Sequence, residues 1–237
     1  MRVGSATHIG LVREGNEDAL AVGDGLWVVV DGMGGHEGGE VAAEAATQAL
    51  LEHAGARRED GRWAHALPDA FRVGHERVSA RGVETGMPDM GCVAVLARLG
   101  GPDAPDTVEG AWVGDCRAYH LVDGTLHRLT TDHNVAAELL AAGQLTPEQA
   151  HDHWGQSKLT RRLGGAGPAA EADTLTVAAS GRLLLCTDDL TIHLCDPEIA
   201  SLLAEGDPQA ACEALTGAAL AAGGIDNVSV VVVDLDD

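Results

Sequence analysis

Short runs of Val, Leu, Ala and Cys at 26–30, 92–99, 111–113, 118–122, 183–186 and 228–233 alternate with clusters of Gly, Pro, Asp and Asn. Apolar runs of this length, bounded by turn residues, predict β-strands. The runs flanking Asp123 and Gly124 predict a hairpin, because Asp-Gly suits the positive φ angles of a type I′ turn. Antiparallel sheet is therefore expected. Two Ala-rich stretches, 40–53 and 68–81, carry helical spacing between the first strands and the next group. A weaker pair lies at 135–142 and 208–222, where Pro208 fits a first helical turn. The segment 100–106, with Pro102 and Pro105, reads as a loop between strands. The stretch 143–167, with Pro147, Trp154 and Gly164-Gly165, reads as irregular: either a flap beside a site or a plain surface excursion. Strands, then helices, then strands again predict an α+β layered domain whose sheets are covered by helix pairs, and not a βαβ series.

Composition narrows the class. At 237 residues the chain can bury one sizeable core, and no linker or repeat divides it, so one domain over 1–237 is expected. Only 3% of the residues are aromatic, so Val, Leu and Ala must build that core. The net charge of -22 opposes a nucleic-acid partner and an anionic membrane, since both need a basic surface. That charge is either a solvated acidic surface or, in part, a means of attracting cations. A phosphorylated substrate would depend on local neutralisation by metal and arginine. Five cysteines, odd in number and without Cys-x-x-Cys spacing, suit reduced thiols in a cytosol. The N-terminus has no apolar signal core and no apolar run reaches the roughly 20 residues of a spanning helix, so a cytoplasmic protein is expected. No unit for self-association stands out, and a monomer is expected.

The chemistry-bearing residues are acidic. Asp31 follows Trp-Val-Val-Val and precedes Gly32-Met-Gly-Gly-His36; Asp115 lies in Gly-Asp-Cys-Arg, Asp188 in Cys-Thr-Asp-Asp, and Asp226 in Gly-Gly-Ile-Asp-Asn. Each alone reads equally as an Asp that caps a turn. Four strand-end carboxylates in one chain point instead to a hard cation with oxygen ligands, Mg²⁺ or Mn²⁺, and to metal-assisted hydrolysis. Upstream, Arg13 stands beside Glu14, Glu17 and Asp18. A guanidinium there is either part of a surface ion-pair patch or a bidentate phosphate ligand.

The order of these motifs resembles the type 2C metal-dependent serine/threonine protein phosphatases in their compact bacterial form. The matching segments lie at 10–18, 31–36, 114–117, 184–190 and 223–228, in family order and across nearly the whole chain. The resemblance implies an αββα four-layer sandwich, two antiparallel sheets flanked by helix pairs, with the metals at one end. It implies that Asp31 bridges two ions, that the Gly32 carbonyl and Glu17 serve one of them, and that Asp188 and Asp226 serve the other. Asp115, with Asp188, matches a third, weaker metal position, and Arg13 matches the phosphate ligand. Ions roughly 4 Å apart sharing a water of lowered pKa need no protein nucleophile; a cysteine-phosphatase mechanism is not expected. Proton donation to the leaving oxygen falls to His36 or to water, and a turn-stabilising role for His36 is the alternative.

The chain departs from the family pattern at three places. Asp189 replaces the glycine of Ser-Asp-Gly-Leu, which predicts a steric penalty if that position needs positive φ. Met90-Gly91-Cys92-Val93 lacks the usual hydroxyls, and Cys116 replaces a serine. The expected activity is hydrolysis of phosphoserine and phosphothreonine in proteins, with a phosphorylated protein or a Ser/Thr kinase as partner. The alternatives are a catalytically diverged binding or regulatory domain, and a metal-dependent enzyme acting on a small phosphorylated molecule.

Overall fold

The computed structural model describes residues 1–34 and 38–236. The chain opens with three strands, β1 (Arg2–His8), β2 (Asp18–Gly23) and β3 (Leu26–Met33), followed by helices α1 (Gly38–Ala54) and α2 (Leu67–Thr85). Next come β4 (Gly91–Leu99), β5 (Thr107–Val113), β6 (Arg117–Val122) and β7 (Thr125–Arg128), then short helices α3 (Val135–Ala141) and α4 (Pro147–His151). After a 3-10 turn, Trp154–Ser157, come β8 (Leu163–Gly164), β9 (Asp173–Ala178) and β10 (Arg182–Cys186). Helices α5 (Asp188–His193), α6 (Asp196–Ala204) and α7 (Pro208–Ala222) then lead to β11 (Val228–Asp234).

Two sheets form. One has the order β1-β11-β10-β6-β7; the other runs β2-β3-β4-β5-β9, with β8 added beside β4. Every strand pair is antiparallel. Three apolar clusters make four layers. Val28, Val30, Cys92, Ala94 and Leu96 pack on Ala46 and Leu50 of α1 and Phe71 of α2. Trp27, Val29, Val93 and Val95 face Leu183, Leu185, Val231 and Val233 between the sheets. Leu184, Val230 and Val232 pack on Ile199 of α6 and Cys212 and Leu215 of α7. Alternate residues of β3, β4, β10 and β11 thus enter different cores. Because both faces of each strand are covered, these strands read as unbroken apolar runs.

The hairpin at 123–124 forms, with φ 50° at Asp123 and 75° at Gly124. The predicted pairing of helices is corrected. The helix at α3 packs on the 3-10 turn and α4, whereas the outer partner of α7 is α6, which sequence periodicity misses. Nor is 143–167 irregular throughout. Thr146 and Gln149 close a capping box at α4, Asn134 bridges Leu159, and β8 pairs with Gly91 and Cys92.

Candidate metal and phosphate site

Alternation along β3 decides where Asp31 points. Val30 faces the helices, Val29 faces the opposing sheet, and Asp31, one residue on, returns to the inter-sheet side at the strand's end. Its cross-strand partners are Asp18 on β2 and Val93 on β4. Gly32 follows where a side chain has no room: a Cβ there would stand 2.1 Å from the Gly39 carbonyl oxygen and 2.5 Å from that of Glu17. The Gly32 N–H donates to the Glu17 carbonyl (3.1 Å), fixing β2 against the turn into α1.

The other acidic residues arrive from the opposing sheet and the loops. Thr187 follows β10; its hydroxyl donates to Asp18 (3.2 Å) and accepts the Ser229 N–H (2.9 Å), and Asp188 begins α5 beside it. Asp226 immediately precedes Asn227 and β11. The Asn227 amide takes the Glu17 N–H (2.7 Å) and donates to the carbonyls of Ile9 and Gly15 (2.9 and 3.0 Å), tying the Arg13 loop to β11. Asp115 lies buried in the turn between β5 and β6, after Gly114 with φ 103°. His133 supports that turn by accepting the Gly114 N–H on Nδ1 (3.0 Å). Its Nε2 lies 3.3 Å from Asp173.

These carboxylates sense one another. Burial, then the charges of Asp188, Asp18, Asp115 and Asp226, hold the Asp31 carboxyl well above the usual range. Burial lifts Asp18 to about 7, opposed by the Ser229 and Thr187 hydroxyls and reinforced by Asp188 and Asp226. Burial, with Asp226 and Asp189, lifts Asp188 to about 6. Asp115 is also raised, by burial and then by Asp188 and Asp132. Burial raises Glu17 as well, against the pull of Arg13. Arg13 is ion-paired to Asp226. Burial acts to lower its pKa, but Asp226, Glu17 and Asp31 outweigh that and the net shift is upward.

The fold therefore brings Arg13, Glu17, Asp31, Gly32, Asp115, Asp188 and Asp226 to one end of the sandwich, while His36 lies outside the described residues. Sequence reasoning passes over Asp18, which stands directly opposite Asp31, and Asn227 and Thr187, which anchor the loops. The Asn-Glu-Asp run holds the signal for Asp18, but only once β2 is known to pair with β3. Among the described residues no three His, Cys or acidic side chains already enclose an ion position. The donor set nevertheless suits a hard divalent cation: among the described residues it is a cluster of carboxylates whose pKa values burial and then mutual repulsion raise, and the neighbouring Cys116 thiol is itself raised by burial.

Two of the departures have structural explanations. Asp189 lies in the first turn of α5, and among the described non-glycine residues only Asp123 has positive φ, so the expected steric penalty is absent. Cys92 and Val93 are core residues on opposite faces of β4, and Val93 packs where Gly114 leaves room. Cys92 and Arg98 do have the Cys-x5-Arg spacing of a cysteine-phosphatase cradle. Both lie on the extended β4, however, so six residues separate them by roughly 20 Å. Arg98 is occupied by Glu109 (2.9 Å), and burial drives the Cys92 thiol pKa upward, so the pair forms no nucleophilic site.

Residues 11–218 match the family model for protein phosphatase 2C. The chain belongs to the protein phosphatase 2C family. Over its whole length it is 33% identical to the serine/threonine protein phosphatase PstP of Mycobacterium tuberculosis, and it spans 45% of that relative. It is 32% identical to the serine/threonine phosphatase stp of Listeria welshimeri, with 96% of this chain and 93% of that one covered. The crystal structure of the PstP catalytic domain in complex with two manganese ions matches with a TM-score of 0.85 at 32% identity, covering 98% of this chain and 97% of that one. The αββα sandwich described above is thus the fold of this phosphatase family.

Proposed function

We propose that the chain is a Mn²⁺- or Mg²⁺-dependent phosphatase of phosphoserine and phosphothreonine in proteins. The observation that carries this reading is the convergence of mutually repelling carboxylates from both sheets beside one loop arginine. Asp31, the Gly32 carbonyl and Glu17 would hold one ion, Asp31, Asp188 and Asp226 the other, and Asp115 with Asp188 a third. Bound there, the ions would polarise the phosphoryl oxygens and lower the pKa of an attacking water.

The remaining work belongs to the chain. Arg13 is half-exposed and stands on a loop fixed by Asn227, so its guanidinium can take two phosphate oxygens in parallel once it leaves Asp226. Asp18, held by the Thr187 hydroxyl, stands opposite Asp31 on the neighbouring strand and adds its charge to the cluster that a cation would neutralise. His36 is the proposed proton donor to the departing seryl or threonyl oxygen. A phosphorylated protein, including a Ser/Thr kinase, is the proposed partner. Among the described residues no helix is long and apolar enough to cross a membrane.

Phosphate release from a phosphothreonine peptide, with and without millimolar Mn²⁺, tests the reading. Release should require the metal, and Asp31→Asn should lower kcat by at least about 10³-fold, a loss of roughly 4 kcal/mol of barrier stabilisation. Undiminished turnover by Asp31→Asn would remove the proposal. Release seen only after Asp189→Gly would favour a diverged binding domain.

A further inference from the structure

Where the family motif carries glycine, Asp189 brings a side chain into the interior. It is fully buried, and it stands one residue from Asp188, opposite the loop that carries Asp226. Its Oδ1 accepts the backbone N–H of Asp226 (3.2 Å), while its Oδ2 is buried without a hydrogen-bond partner among the described residues. One turn along α5, on the same face, His193 places Nε2 at 3.3 Å from Asp189 Oδ1 and at 3.3 Å from the N–H of Ile225. The ring also lies flush against the chain at Gly223, where a Cβ would stand 2.9 Å from His193 Cε1.

Two side chains of one short helix thus reach consecutive backbone groups of the loop 223–226. The nitrogen at Nε2 serves one partner at a time. With the proton on Nδ1 it accepts from Ile225, and with the proton on Nε2 it donates to Asp189. In either arrangement Asp189 keeps the Asp226 N–H. A buried carboxylate with one unpartnered oxygen carries a desolvation cost that a glycine at this position avoids. The contact that offsets this cost is to the backbone of the loop itself.

We propose that Asp189 and His193 form a positioning pair that clamps the loop 223–226 onto α5 and thereby fixes the carboxylate of Asp226. The pair touches neither substrate nor the reacting atoms; it acts through Asp226, which meets Arg13 on one side and lies within the electrostatic reach of Asp188 on the other. The clamp itself is independent of the phosphatase reading; only its effect on metal binding rests on that reading.

Hydrogen exchange measured by mass spectrometry on the purified chain without metal reads the clamp directly, whatever the activity. Asp189→Ala should raise exchange of the peptide covering 223–227 by about tenfold, and His193→Ala should raise it by a smaller factor. Asp189→Asn keeps an acceptor at Oδ1 and should stay within about twofold of the parent. The Mn²⁺ affinity, measured by titration calorimetry, should follow the same order. Parent-like exchange in both alanine variants would overturn the proposal. So would Asp189→Asn exchanging as fast as Asp189→Ala, because charge and not the hydrogen bond would then be the operative feature. Should Asp189→Ala not fold, His193→Ala and Asp189→Asn still give opposite expectations. A clamp intact by exchange in a protein without turnover would count against the phosphatase reading and leave this one standing.

Discussion

Asp18 and Asp188 are ionisable groups that the fold holds under strain of their own charge. Their carboxyls sit at about 7 and about 6 in the folded chain, against roughly 3.9 for an Asp in an unfolded one. Between about pH 4 and 7 the folded chain therefore binds more protons than the unfolded chain, and its stability must fall as pH rises through that window. In calorimetric melts with EDTA, Tm should drop from about pH 5 to 7.5, and Asp18→Asn should flatten that drop and melt higher than the parent at the upper end. Added Mn²⁺ should raise Tm most at the upper end, where the carboxylates are free of protons. A melting temperature that climbs with pH in EDTA, or an Asp18→Asn slope equal to the parent's, would refute this assignment. At this scale the sequence shows Asp31, Asp115, Asp188 and Asp226 through their strand-end and glycine contexts. Asp18 has no such context, and cross-strand register alone makes it a neighbour of Asp31.

Among the elements, the turn between β5 and β6 shows how core packing and the site are coupled. Gly114 adopts φ 103°, a region L-residues rarely enter, and a Cβ there would lie 2.1 Å from Cγ1 of Val93. Val93 in turn pairs with Asp31 across the β3–β4 ladder. Gly114→Ala should therefore destabilise the fold by roughly 2–4 kcal/mol through backbone strain and overpacking together. Val93 Cβ would lie 2.2 Å from the same position, so only Val93→Gly, which removes both contacts, relieves the clash, and it leaves the φ strain. A urea-denaturation cycle should show a favourable coupling of about 1 kcal/mol between the two changes; strict additivity would mean that they do not meet. The long elements were legible because their apolar runs are long. The short ones were not: β1 contains Gly4 and Ser5, β9 alternates apolar and polar residues at a sheet edge, and α5 and α6 span only six and nine residues. Each is held by its neighbours more than by propensity.

The whole molecule carries a charge of -22, and its basic residues are spent locally, Arg117 and Arg128 on Asp132, Arg182 on Asp234 and Arg98 on Glu109. Long-range repulsion among the remaining acids should then outweigh the few exposed pairs. Tm at neutral pH should rise as NaCl is taken from a few mM to about 0.15 M, where the Debye length shrinks to about 8 Å. A fall over that range would show that ion pairs and not net repulsion dominate.

The sequence by itself determined the class of this protein. Unbroken apolar runs set the covered strands, Ala-rich periodicity set α1, α2 and α7, and strand-end or glycine-flanked carboxylates in a fixed order marked the family and the candidate site residues, since these features are local and repeat along the chain. The tertiary structure decided the rest: that Asp18 faces Asp31, that Asn227 holds the Arg13 loop, that α6 and not α3 accompanies α7, and that Asp189 turns inward to the Asp226 backbone instead of straining its own. Each of these depends on which distant segment lies opposite, and strand register and helix docking fix that only when the two sheets close on their shared core.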